Sequence, residues 1–175
     1  MHSSMKHIII NGRNGVGKST LIRSVLERIQ SPVYGVITKK EAENANGFQP
    51  VYIHLYGKER QYSEENRIGM CKPGESICFP DVFDRFCDRM RFPKNCVIVF
   101  DELGFMESDA HCFTAKVLHT LDEAPLCICA VRDKPTPFLD AVRSHPRAEV
   151  YEITEENRNE LRARILAALS DRTGD

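Results

Sequence analysis

At 175 residues the chain suits one domain over 1–175, large enough to bury a core without disulfide or metal staples. Its 24 Lys plus Arg against 25 Asp plus Glu leave a formal net charge of −1, which argues against a general nucleic-acid binder. Seven cysteines, an odd number with no C-x-x-C pair, read as free thiols rather than a zinc module. No apolar stretch approaches membrane-spanning length, and no leader resembles a signal peptide.

The first predicted element is a buried strand over 5–11, built on Ile8-Ile9-Ile10. It runs into Gly12-Arg13-Asn14-Gly15-Val16-Gly17-Lys18-Ser19, which fits G-x-x-x-x-G-K-[ST], and a helix is predicted over 18–29. Strand, glycine loop and helix together are the context that makes this a phosphate-binding loop. The glycines let successive N–H groups point into one concavity, and the helix adds the positive end of its dipole. Lys18 is expected on the β- and γ-phosphates, with the Ser19 hydroxyl as a ligand of Mg2+. Gly12, Arg13, Asn14, Gly15, Val16, Gly17, Lys18, Ser19 and Thr20 form the expected nucleotide-binding set. A nucleotide motif with reduced thiols points to a cytoplasmic protein.

Residues 33–39 and 49–55 read as a β-hairpin with a polar turn. The stretch Gly57–Glu75, with Arg60, Arg67 and Lys72, has the weakest pattern and is the only lid candidate. An amphipathic helix over 81–90 turns Val82, Phe83, Phe86, Cys87 and Met90 inward. Next, Val97-Ile98-Val99-Phe100 forms a strand ending in Asp101 and Glu102, as a Walker-B strand does. Asp101 is assigned to Mg2+ and Glu102 to the attacking water.

A helix over 109–121 is expected to bury Cys112, Ala115, Leu118, His119 and Leu121. A strand over 126–131 delivers Arg132 to its end, where ligand-facing residues gather, with Lys134 close behind. Arg132 is the candidate active-site cation; Arg13 and Arg158 are weaker ones. A short helix over 137–143 and a strand over 149–153 follow, and Thr154 caps a last helix in a T-x-x-N variant of the capping box. Phe48 and Tyr52 are candidates to stack a base, whereas His111 and His119 read as helix residues without chemistry. The alternation predicts an α/β fold: a three-layer sandwich with a mostly parallel sheet, helices on both faces and a β-hairpin after the first helix.

The combination of Gly12–Thr20, Gly35-Val36-Ile37-Thr38, Gly47-Phe48, Asp101-Glu102-Leu103-Gly104-Phe105-Met106-Glu107 and Glu156-Asn157-Arg158 resembles the nucleoside-triphosphatase family first described from thermophiles. The resemblance spans most of the chain and is poorest over 60–80. It implies a compact P-loop domain that slowly hydrolyses ATP, GTP, CTP or UTP with Mg2+. The family usually carries Lys at the position of Phe105, and a charged E-x-R element where this chain has Lys39-Lys40-Glu41.

The expected activity is removal of the γ-phosphate from nucleoside triphosphates by a monomer, with Lys18, Glu102 and Arg132 catalytic and Ser19 and Asp101 on the metal. Two alternatives stand beside it. One is a kinase for a nucleotide or other small molecule, which needs a lid that excludes water. The other is a nucleotide-dependent switch whose turnover only resets binding. No membrane partner is expected.

Overall fold

The computed structural model describes residues 5–173, with side chains through Ser170. Eight strands form one sheet: β1 (His7–Gly12), β2 (Val33–Lys40), β3 (Gln49–Leu55), β4 (Arg67–Lys72), β5 (Glu75–Cys78), β6 (Val97–Leu103), β7 (Leu126–Arg132) and β8 (Ala148–Glu152). The order is β5-β4-β3-β2-β6-β7-β1-β8. From β2 to β8 every pairing is parallel, and β3, β4 and β5 extend the sheet antiparallel.

Parallel strands need crossovers, and these supply the outer layers. On one face α1 (Lys18–Leu26) and α5 (Arg158–Thr173) cover the sheet, with Leu21, Ile22, Val25, Leu161 and Ile165 on Ile8, Ile10, Val99, Ile128 and Ala130. On the other lie α2 (Pro80–Phe86), α3 (His111–Glu123) and α4 (Pro137–Arg143), which pack Phe83, Phe113, Val117 and Leu139 on Ile9, Ile98, Phe100 and Cys129. Successive strand residues thus alternate between two apolar layers, which is why the central strands read as unbroken hydrophobic runs. At Gly35 the backbone sits at φ 144°, and a Cβ there would lie 1.9 Å from the Val99 carbonyl oxygen; only glycine lets β2 pass β6 at this point.

The predicted three-layer fold and hairpin are present, with two departures. The weakly patterned stretch contains β4 and the start of β5, a hairpin that turns at Pro73-Gly74. The buried face of α3 is Phe113, Val117, Thr120 and Leu121, while Cys112, Ala115 and His119 are exposed and Leu118 is half-buried. Phe113 sets this phase: its ring lies 5.0 Å from that of Phe83, and Val117 and Leu121 follow it at helical spacing. All five inward residues expected of the 81–90 segment are buried, although the last turn, Cys87–Arg89, is a 3-10 helix.

Candidate active site

The C-terminal ends of β1, β6 and β7 converge, with Gly12 in register with Arg132 and Asp101 with Ala130. The glycine loop leaves β1 here and turns into α1 through Gly15 at φ 79° and Gly17 at φ 102°. No side chain caps the first turn of α1, and that turn carries no acidic residue. Its N–H groups are therefore available to an anion. Lys18 is buried, and its Nζ donates to the carbonyls of Gly12 at 2.8 Å and Arg13 at 2.5 Å. The loop thus curls around its own lysine. The same ammonium pairs with Glu102 Oε2 at 3.1 Å.

At the end of β6 the Ser19 hydroxyl donates to Asp101 Oδ1 at 2.7 Å. Burial pushes the Asp101 carboxyl above its ordinary range, and the Ser19 hydrogen bond only partly opposes this. A hydroxyl and a half-buried carboxylate side by side are hard oxygen donors of the kind that suit a small divalent cation. The β6–β7 register shifts between Asp101 and Leu103, leaving Glu102 as the extra residue of a bulge, a device that re-aims a side chain. Thr38 on β2 supports it from behind: the Glu102 N–H donates to Thr38 Oγ1 at 3.3 Å.

Arg132, at the end of β7, donates through Nε to Glu102 Oε1 at 3.2 Å and lies 5.5 Å from the Phe105 ring centroid. Glu102 is therefore held between two cations. The turn after β7 is fixed by Arg143 of α4, whose guanidinium donates to Asn11 Oδ1 and to the carbonyls of Arg132 and Lys134. Below the site, Glu107 is buried at 3% exposure and accepts the Gly104 N–H at 2.7 Å. Burial pushes its carboxyl up to about 7.

A cleft of about 840 Å³ opens from Asn14, Ser19 and Glu102 toward the β4–β5 hairpin. Lys18, Ser19, Asp101, Glu102 and Arg132 thus come together as the sequence placed them. Other candidates lie elsewhere. Arg13 is exposed, and its carbonyl engages Lys18. Arg60 and Arg67 do not line the cleft; Arg67 pairs with Glu64 at 3.1 Å and faces Phe79, so the hairpin tip at Lys72–Glu75 takes the place expected of those arginines. Tyr52 belongs to a ring cluster with His54 and Tyr62, and Phe48 lies beneath the Lys72 ammonium.

Asn157 completes a reciprocal cap with Thr154, each side chain accepting the other's backbone N–H, at 2.8 and 3.3 Å. Arg158 lies over the loop, where a Cβ on Gly17 would come 3.1 Å from Arg158 Cδ. Thr38, Glu107 and Arg143 were not assigned roles from the sequence. Thr38 and Glu107 each carry a signal, as the ends of the Gly-Val-Ile-Thr and Asp-Glu-x-Gly-x-Met-Glu runs, and Arg143 carries none.

Residues 7–166 match a family model described as NTPase. The chain is 27% identical over 191 residues to a mouse protein named cancer-related nucleoside-triphosphatase homolog, covering 96% of this chain and 99% of that one. It is 28% identical over 174 residues to nucleoside-triphosphatase THEP1 of Thermotoga maritima, covering 96% and 98%. The solution structure of a human cancer-related nucleoside triphosphatase shares the fold, with a TM-score of 0.63 and 24% identity over 95% of this chain and 98% of that one.

Proposed function

The chain belongs to this NTPase family, and from that premise we propose that it hydrolyses nucleoside 5′-triphosphates to diphosphate and phosphate, with Mg2+ and broad base specificity. One observation carries the reading: Ser19–Asp101 and Lys18–Glu102 form two adjacent pairs at the mouth of the glycine loop, at 2.7 and 3.1 Å.

In this reading the loop N–H groups and Lys18 bind the triphosphate. Lys18 is held by two carbonyls and neutralised by Glu102, so binding exchanges the Glu102 carboxylate for phosphate oxygens. Ser19 and Asp101 would hold Mg2+, which would supply charge neutralisation to the triphosphate. Glu102, released from Lys18 and still oriented by Thr38 and Arg132, accepts a hydrogen bond from water and aligns it on the γ-phosphorus. The water oxygen bonds to phosphorus, the bond to the bridging oxygen breaks, and Glu102 takes the proton. Arg132 stabilises negative charge developing on the γ-phosphoryl oxygens. The catalytic set is Lys18, Glu102 and Arg132 on a single domain acting as a monomer, and its seven free thiols suit the reducing cytoplasm.

The test is phosphate release from ATP, GTP, CTP and UTP, with Mg2+ and with a chelator. Slow turnover of all four, lost on chelation and in Lys18→Ala, is expected. Turnover of a single base, or undiminished turnover with chelator, contradicts the proposal.

A further inference from the structure

The triphosphate leaves most of the cleft unaccounted for. Lys18 and Ser19 engage the β- and γ-phosphates, so the nucleoside end points away along Thr20 and toward Arg158. Neither Thr20 nor Arg158 lines the cleft, whereas Glu102 stands on its wall. The cavity therefore lies beyond the γ-phosphoryl group, on the side of the antiparallel strands. Its volume of about 840 Å³ suits a small molecule.

Its charge is one-sided. Lys39 and Lys40 reach it from the end of β2, Lys72 from the β4–β5 hairpin, and Lys134 from the turn after β7. Lys72 is neutralised by Glu75 at 2.8 Å. Among the described residues, Lys39, Lys40 and Lys134 form no salt bridge. The three carboxylates of the wall offer them no partner: Glu75 is taken by Lys72, Glu102 by Lys18 and Arg132, and Glu107 is buried on the Gly104 N–H. These three ammonium groups, two from the end of β2 and one from the turn after β7, where Lys134 also lies 4.5 Å from the Phe105 ring centroid, concentrate positive potential on a concave surface of a chain whose net charge is −1. Val51, Ile68 and Met106 supply an apolar wall between them.

We propose that this cleft binds a second, phosphate-bearing small molecule against the γ-phosphoryl group. The inference rests on the assignment of the triphosphate to the glycine loop. A mononucleotide or a sugar phosphate has the required chemistry: an anion for Lys39, Lys40 and Lys134, and a compact body to lie on Val51, Ile68 and Met106.

Pyridoxal phosphate, a phosphate-bearing aldehyde that forms an imine with a lysine amine, is the probe. The full chain is treated with it and then with borohydride, and labelled lysines are mapped by mass spectrometry, with and without a saturating non-hydrolysable ATP analogue and Mg2+. Binding of the analogue is measured separately by calorimetry, so failure of the triphosphate site is seen independently of the labelling. With the analogue bound, Lys39, Lys40 and Lys134 are expected to label about tenfold faster than exposed Lys58 and Lys94, equivalent to about 1.4 kcal/mol of added binding. AMP should protect them. Uniform labelling overturns the proposal. Protection by the analogue itself also overturns it, since the lysines then serve the triphosphate. Protection by a 5′-phosphorylated oligonucleotide but not by AMP overturns it in favour of a polymer.

Discussion

Replacing Glu107 with glutamine should unmask a rise of stability with pH in the acid range. Burial lifts the Glu107 carboxyl from 4.5 to about 7, so the native state prefers the protonated acid while the unfolded chain ionises near the ordinary value. The acid's contribution is fully present below about pH 4.5 and is lost as pH rises through about 7, amounting to about 3 kcal/mol from the gap between the two values. His7 works in the opposite sense. Its Nε2 meets the Leu121 carbonyl at 2.6 Å, its Nδ1 accepts the Cys127 N–H, and burial lowers it from 6.5 to about 4. Its contribution is present above pH 6.5 and is lost as pH falls toward 4, again by about 3 kcal/mol.

In the wild type the two nearly cancel between pH 4.5 and 6.5. In Glu107→Gln the His7 dependence is no longer offset by Glu107, so stability rises more steeply with pH than in the wild type. Urea unfolding of both proteins at pH 4, 5, 6, 7 and 8 reads this directly. The variant-minus-wild-type difference should grow in the variant's favour by about 3 kcal/mol across the series, a relative midpoint change of about 1–3 M urea. The slope is the test, because a fixed cost of the glutamine amide shifts every pH equally. A difference that stays constant with pH refutes the reasoning.

Three further outcomes follow from the same contacts. Gly35→Ala places a Cβ 1.9 Å from Val99 O in the interior of the sheet, and should cost more than about 4 kcal/mol in denaturant unfolding or prevent folding. Asn157→Ala removes the acceptor for Thr154 N–H and the donor to Glu152 O, both at 2.8 Å; thermal unfolding should report a loss of about 1 kcal/mol. Arg132→Ala should lower kcat about a hundredfold or more with little change in nucleotide affinity, as measured by steady-state phosphate release and calorimetry.

The parts of the site legible in the sequence are those held by local spacing. The glycine loop needs its residue types within eight positions, and Asp101–Glu102 need only a strand that ends where they begin. Arg132 was legible by the same logic, as the residue past an apolar run. The β4–β5 hairpin was hidden because Gly69 interrupts the apolar pattern and charged residues surround it, although Pro73-Gly74 is a turn signal. The phase of α3 was misread because its small and half-apolar residues permit several faces, and the choice rests on Phe113 meeting Phe83 from another helix. Thr38 behind Glu102, Arg143 beneath the β7 turn and the lysines of the cleft converge from elements far apart in sequence. Sheet order brings them together, and no local pattern encodes it.

In the proposed mechanism Lys18 binds the triphosphate while Glu102 serves the water. Calorimetric ATP binding and single-turnover phosphate release, measured together on Glu102→Ala and Lys18→Ala, separate these roles. Glu102→Ala frees Lys18 from its 3.1 Å partner and should bind ATP at least as tightly as wild type while losing hydrolysis; Lys18→Ala should lose both. Hydrolysis that survives in Glu102→Ala, or ATP binding that survives unchanged in Lys18→Ala, contradicts the account.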